Sequence, residues 1–195
     1  DTVVGASDSD TITINGAGTN DTVTLTAAVS AGNTVILGDD GASFTLAGNT
    51  RATIGILDSG TADGDLSNET STAVSLGAGD EILTGSDGQD TVNMTNGGDD
   101  NVSLGAGADN LNDAENIGAA DVIVGGAGSD TLTFSDDSDV AAANLALTSG
   151  FDVIALEDDT NDGAITVGLD DTVVGASDSD TITINGAGTN DTVTL

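Results

Sequence analysis

A pattern of nine residues recurs between Gly85 and Thr133, and it limits the fold more than any other feature of the chain. It reads GSDGQDTVN from Gly85, TNGGDDNVS from Thr95, LGAGADNLN from Leu104 and GGAGSDTLT from Gly125. Each copy is a glycine-rich turn closed by an aspartate, then a short stretch with one large apolar residue. Glycine supplies the positive φ that such a turn needs. Near-contiguous copies of one short unit mark a repeat architecture, in which each unit buries its apolar face only against its neighbours.

The same rhythm extends along the whole chain. Apolar centres fall near Val3, Ile12, Val23, Val35, Phe44 and Ile54, then Val74, Ile82, Val92, Val102, Leu111, Ile123 and Leu132. They continue at Leu145, Val153, Ile165 and Val173. Around them apolar and polar residues alternate, as in Thr11-Ile12-Thr13-Ile14 and Thr131-Leu132-Thr133-Phe134. Period-two alternation rich in Thr and Val means strand, and the Gly, Asn, Asp and Ser between centres suit tight turns. The segment VAAANLAL (Val140–Leu147) reads as a strand or a single short helical turn. Strands this short and this frequent predict an all-β fold, a parallel β-roll or β-helix solenoid of about 18–20 residues per rung, with rungs roughly 4.8 Å apart. Between Ile54 and Val74 the segment TADGDLSNET (Thr61–Thr70) is expected to bulge outward or to replace one strand, and it is the first place to look for a partner site.

Residues 1–25, DTVVGASDSDTITINGAGTNDTVTL, recur letter for letter at 171–195. An identity of that length does not arise by chance. It implies a tandem unit covering 1–170, with 171–195 beginning the next identical unit in the same solenoid, and an adjacent identical repeat as the natural partner. Lateral self-association of units is open.

Composition excludes several function classes. The chain holds 34 acidic residues, one cation (Arg51) and no histidine, for a formal charge of −33. Such a chain repels nucleic acid and anionic membrane surfaces, and no apolar run is long enough for membrane insertion as a helix. Without Cys or His it lacks the usual zinc ligands and most nucleophiles and general bases, so no enzymatic activity is expected. A charge of this size ordinarily predicts disorder. The regular apolar spacing predicts a fold once the carboxylates are neutralised, and a hard divalent cation with oxygen ligands, Ca2+, is the fitting agent.

The turns show where such ions would sit. In GGAGSD the glycines let carbonyl oxygens point to one side, and the closing Asp adds a carboxylate. One turn offers too few oxygens for calcium, which takes six to eight, so the turn one rung away must supply the rest. On this spacing Asp90 faces the Asp109 turn, Asp109 the Asp130 turn and Asp100 the Asp121 turn on the opposite edge. These segments resemble the Gly-Gly-x-Gly-x-Asp-x-(large apolar)-x nonapeptide of the RTX, or hemolysin-type, calcium-binding repeats. The match is complete at 125–133, strong at 85–93 and 104–112, fair at 95–103, and looser in GASDSDTIT from Gly5, GAGTNDTVT from Gly16 and their second copies. LGAGDEIL (Leu76–Leu83) keeps the turn but is offset, which leaves Asp80 and Glu81 as competing ligands.

The resemblance implies a parallel β-roll, several calcium ions along both edges and bacterial type I secretion to the cell surface or medium. The candidate ligands are the carboxylates of Asp10, Asp21, Asp80, Asp87, Asp90, Asp99, Asp100, Asp109, Asp121, Asp130, Asp171, Asp180 and Asp191, with the backbone of Gly85, Gly105, Gly125 and Ala127. Calcium is not expected at Ser43 or Asn33, which stand where the closing Asp belongs. Three functions fit. The first is a calcium-stabilised structural repeat of an extracellular fibre, surface layer or adhesin stalk. The second is the secretion and folding module of an exported enzyme or toxin, and the third an ice-binding repeat.

Overall fold

The computed structural model describes the strand backbones throughout and, with side chains, residues 74–76, 80–85, 87–94, 98–135, 139–157, 164–169, 173, 183–186 and 191–194. The first eight strands are β1 (Thr2–Val3), β2 (Thr11–Ile14), β3 (Thr22–Leu25), β4 (Asn33–Leu37), β5 (Ala42–Leu46), β6 (Arg51–Ile56), β7 (Ala62–Asp65) and β8 (Ser71–Ser75). Then follow β9 (Ile82–Thr84), β10 (Thr91–Asn93), β11 (Asn101–Gly107), β12 (Asn110–Asn112), β13 (Val122–Gly128) and β14 (Thr131–Phe134). The last six are β15 (Asp139–Val140), β16 (Thr148–Ser149), β17 (Val153–Leu156), β18 (Thr166–Gly168), β19 (Thr183–Gly186) and β20 (Thr192–Thr194).

From β1 to β14 successive strands alternate between two sheets, odd strands in sheet A and even strands in sheet B. Sheet A runs β1-β3-β5-β7-β9-β11-β13-β16 and sheet B runs β2-β4-β6-β8-β10-β12-β14-β17-β19. Every strand pair within them is parallel, as in Thr91↔Ala73, Thr91↔Asn110 and Asn101↔Val122. The chain is therefore an all-β parallel solenoid, with two strands and two turns to a rung. The pairing steps are close to the expected rung length in the middle, 18 residues from Ala73 to Thr91 and 19 from Thr91 to Asn110.

Beyond β14 the coil widens. A third sheet, β15-β18-β20, joins the wall, and the steps lengthen to 25 residues from Ile123 to Thr148 and 27 from Asp139 to Thr166. Phe134 and Phe151, two of the chain's three phenylalanines, are both fully buried in this wider section. Among the described side chains the narrow rungs hold Val, Leu, Ile and Met in their files.

The core consists of files of apolar residues stacked rung on rung. In sheet B Val74, Val92, Leu111, Leu132 and Ile154 pair in register, each at most 1% exposed. In sheet A the file is Leu83, Val102 and Ile123, ending on Thr148. Burying each large aliphatic side chain contributes about 1.5–3 kcal/mol.

Two expectations from the sequence change, and two alternatives it left open are resolved. The buried centre of β9 is Leu83, while Ile82 is 50% exposed, because Glu81 takes an inward position and sets the alternation. Leu145 is buried in a 3-10 turn (Ala142–Leu145) rather than a strand, in keeping with the reading of 140–147 as a short helical turn. Val173 is buried with helical backbone, although its counterpart Val3 is in β1. Of the two readings of the segment after Thr61, replacement of a strand holds where the segment is described: β7 takes the place of an apolar strand, with Gly64 in register between Phe44 and Leu83.

Candidate metal centre

Each closing acidic residue sits immediately before a strand, and the coil stacks these positions into two files. Glu81, Asp100 and Asp121 precede β9, β11 and β13 on one edge; Asp90, Asp109, Asp130 and Asp152 precede β10, β12, β14 and β17 on the other. All seven are buried.

The files are held by one repeated hydrogen bond. The backbone N–H of Asp90 donates to Asp109 Oδ1 at 2.7 Å, that of Asp109 to Asp130 Oδ1 at 2.9 Å and that of Asp130 to Asp152 Oδ2 at 3.1 Å. On the other edge Glu81 N–H donates to Asp100 Oδ1 at 2.9 Å and Asp100 N–H to Asp121 Oδ1 at 2.7 Å. The pairs named from the repeat spacing, Asp90 with Asp109, Asp109 with Asp130 and Asp100 with Asp121, are bonded pairs. The carbonyls complete the ladder: Asn110 N–H donates to Asp90 O and Thr131 N–H to Asp109 O. Asp100, Asp109 and Asp130 thus each join their own rung to both neighbours.

Each carboxylate has a second oxygen. Gly118 N–H donates to Asp121 Oδ2 at 2.8 Å. Asp100 Oδ2 and Asp109 Oδ2, by contrast, are buried without a hydrogen-bond partner. A buried carboxylate oxygen without donor or counter-charge is costly, and the chain's one cationic residue is Arg51. Burial pushes the Asp109 carboxyl up to about 7 from 3.8; the Asp90 N–H bond pulls it partly back, and the charges of Asp130 and Asp90 raise it further. Asp100 is pushed up to about 6, again chiefly by burial, against the backbone bond from Glu81 and with a contribution from Asp121. A cation at the second oxygens would reverse both shifts.

At Gly85, Gly107, Gly125, Gly126 and Gly128 the turns pack too closely to admit a side chain. The strand ladder of β11 and β13 runs through the turn, pairing Gly105↔Gly126, Ala106↔Ala127 and Gly107↔Gly128. Gly126 has φ 111°, and a Cβ there would lie against Gly105 O and 2.9 Å from Gly105 C. A Cβ on Gly125 would meet Gly150 O and, at 3.0 Å, Asp130 Oδ2. Carbonyl and carboxylate oxygens therefore converge on the space beside the turn that precedes the closing Asp.

The remaining candidates are distributed differently. Asp80, Asp87 and Asp99 are exposed, and Asp99 N–H donates to Asp80 Oδ1 at 3.0 Å. Asp191 is half-buried and accepts from Ile165 N–H at 3.1 Å, the same device one sheet over. Gly85 and Gly125 are buried, Gly105 half-buried and Ala127 exposed. Asp10, Asp21, Asp171 and Asp180 lie outside the described residues. Among the described residues no three acidic groups gather into a ready-made metal cluster; the closing carboxylates are spread one per rung on each edge, so any ion would take its remaining oxygens from backbone carbonyls.

Of the competing pair Asp80 and Glu81 it is Glu81 that is buried in the files, and Asp152 joins them although the nonapeptide pattern did not select it. Asp152 follows Gly150-Phe151 instead of a full glycine turn. Its signal is position: an acidic residue directly before an alternating Val-Ile-Ala-Leu strand. Comparison with protein-family models, with curated proteins and with solved structures yields no match.

Proposed function

We propose that the chain is a calcium-stabilised, non-catalytic structural repeat of an extracellular fibre, surface layer or adhesin stalk. One observation carries the reading: two files of buried carboxylates, with second oxygens of Asp100 and Asp109 unpartnered, in a chain with a single cation. Hard oxygen ligands without nitrogen or sulfur suit calcium rather than a transition metal. The residues that would hold it are Asp90, Asp100, Asp109, Asp121 and Asp130 with the carbonyls of the intervening turns. Bound there, calcium supplies the positive charge that the buried carboxylates lack and joins successive rungs.

The structural role follows from the tandem identity of 1–25 and 171–195, which makes the next identical unit the neighbour of this one. Export to the cell surface or medium fits a fold that waits for a metal scarce inside cells, and the nonapeptide resemblance points to the type I route. Titration calorimetry tests the metal reading. Calcium is expected to bind at several sites per chain, and Asp109→Ala with Asp100→Ala to lower that number. Absence of calcium-binding heat in the intact chain would refute it.

A further inference from the structure

The outer face of sheet A carries an apolar line that the core does not explain. Ile82 is 50% exposed, Val122 37% and Leu147 48%, three of the four large hydrophobic residues that stand exposed among the described residues. They share one file. Ile82 pairs with Asn101 and Asn101 with Val122. Leu147, one residue before Thr148, continues the line because Ile123 pairs with Thr148. At the strand spacing of about 4.8 Å, Asn101 therefore stands between two exposed apolar side chains. It is itself exposed.

Asn101 also opens an Asn-x-Ser/Thr triplet, Asn101-Val102-Ser103, the acceptor pattern for N-linked sugar. The pattern alone is common in a chain rich in Asn, Ser and Thr, and the structure separates its copies. Those at Asn20, Asn68 and Asn190 lie outside the described residues. Asn93 begins the triplet Asn93-Met94-Thr95, but it is half-buried and both ends of its amide are engaged. Its Nδ2 donates to Ser75 Oγ at 3.3 Å and its Oδ1 accepts from Asn112 Nδ2 at 2.9 Å. The Asn101 amide makes no side-chain hydrogen bond among the described residues. Strand β11 turns Val102 into the core, which leaves Asn101 and Ser103 on the same outer face. Amide and hydroxyl of the triplet are thus presented together.

We propose that Asn101 is an N-glycosylation site and that the sugar it carries lies over Ile82, Val122 and Leu147. The donor is a sugar joined through its anomeric carbon to a diphosphate carrier, and a transferase catalyses the step. The Asn101 amide nitrogen forms a bond to that carbon, and the carbon–oxygen bond to the diphosphate breaks. The diphosphate leaves with the electron pair, and the amide gives up one proton to a base of the transferase. A sugar ring has an apolar C–H face and a rim of hydroxyls, so it covers the apolar file and presents a polar surface to solvent. The proposal uses no carboxylate and is independent of the metal reading.

Mass spectrometry of the protein isolated from its own source tests this. Cleavage after aspartate places the two described triplets in separate peptides, 101–109 and 91–99. Peptide 101–109 is expected to be heavier by whole sugar units and peptide 91–99 to have its sequence mass. Incubating the unmodified chain with a nucleotide-linked sugar and soluble extract, or with a lipid-linked sugar and membranes, tells the two kinds of carrier apart. Asn101→Gln, expressed in the same source, is expected to lose the increment on 101–109, keep the circular dichroism spectrum and bind more of an apolar dye. Ile82→Ser with Val122→Ser in that background is expected to remove the extra dye. Peptide 101–109 at its sequence mass in the isolated protein, or dye binding that Asn101→Gln leaves unchanged, would overturn the proposal.

Discussion

Asp109 is fully buried, accepts the Asp90 N–H through Oδ1 and offers Oδ2 to no donor. Because its pKa is raised from 3.8 to about 7, the metal-free fold gains from its protonation. That contribution is fully present below pH 3.8 and is lost as pH rises through about 7, with Asp100 losing its share through about 6. Chelated protein should therefore melt higher at pH 5 than at pH 8, and the stabilisation by calcium should fade as pH falls from 8 to 5; thermal melts at both pH values check this. Asp109→Asn keeps an acceptor for the Asp90 N–H and removes the charge. It should raise the melting temperature in chelator at pH 8 and shrink the further rise given by calcium. Thr148 has the opposite fault, a hydroxyl buried without a partner at the end of the Leu83–Val102–Ile123 file. Thr148→Val should stabilise by about 1 kcal/mol in urea denaturation.

Strands and turns divide the work of the rung. Strands contribute the apolar files, so Leu111→Ala, at a fully buried position, should cost about 2–5 kcal/mol. Turns contribute close stacking: Gly126→Ala drives a Cβ against the Gly105 carbonyl at φ 111° and should cost about 2 kcal/mol or more, read as a lower urea midpoint. Much of this was legible in the chain, since Val92, Leu111 and Leu132 stand at the same place in successive nonapeptides and the closing aspartates are the ones that bond across rungs. What escaped the pattern has physical causes. Glu81 precedes Ile82-Leu83 in an offset copy and turned the alternation by one residue, which sends every side chain to the other face. Asp152 enters its file without the glycine turn, because a wider rung ends there. The third sheet was hidden because its strands, Asp139–Val140, Thr166–Gly168 and Thr192–Thr194, are only two or three residues long, too short to show a period.

Between Glu81 and Asp152 the molecule stacks one acidic side chain above another along both edges of a coil, in a chain of charge −33. Packing of thin apolar files opposes that repulsion, and it does so one rung at a time, so loss of charge balance should propagate along the coil rather than stay local. On this account calcium acts as part of the fold, and its binding free energy as folding free energy. The direct measurement is far-ultraviolet circular dichroism with thermal melting of the intact chain at pH 8, first with calcium, then with excess chelator, then with calcium restored. The account predicts a β-sheet spectrum and a cooperative melt with calcium, a marked fall of the melting temperature in chelator and its return on restoring the metal. A spectrum and melting temperature that chelation leaves unchanged would contradict it.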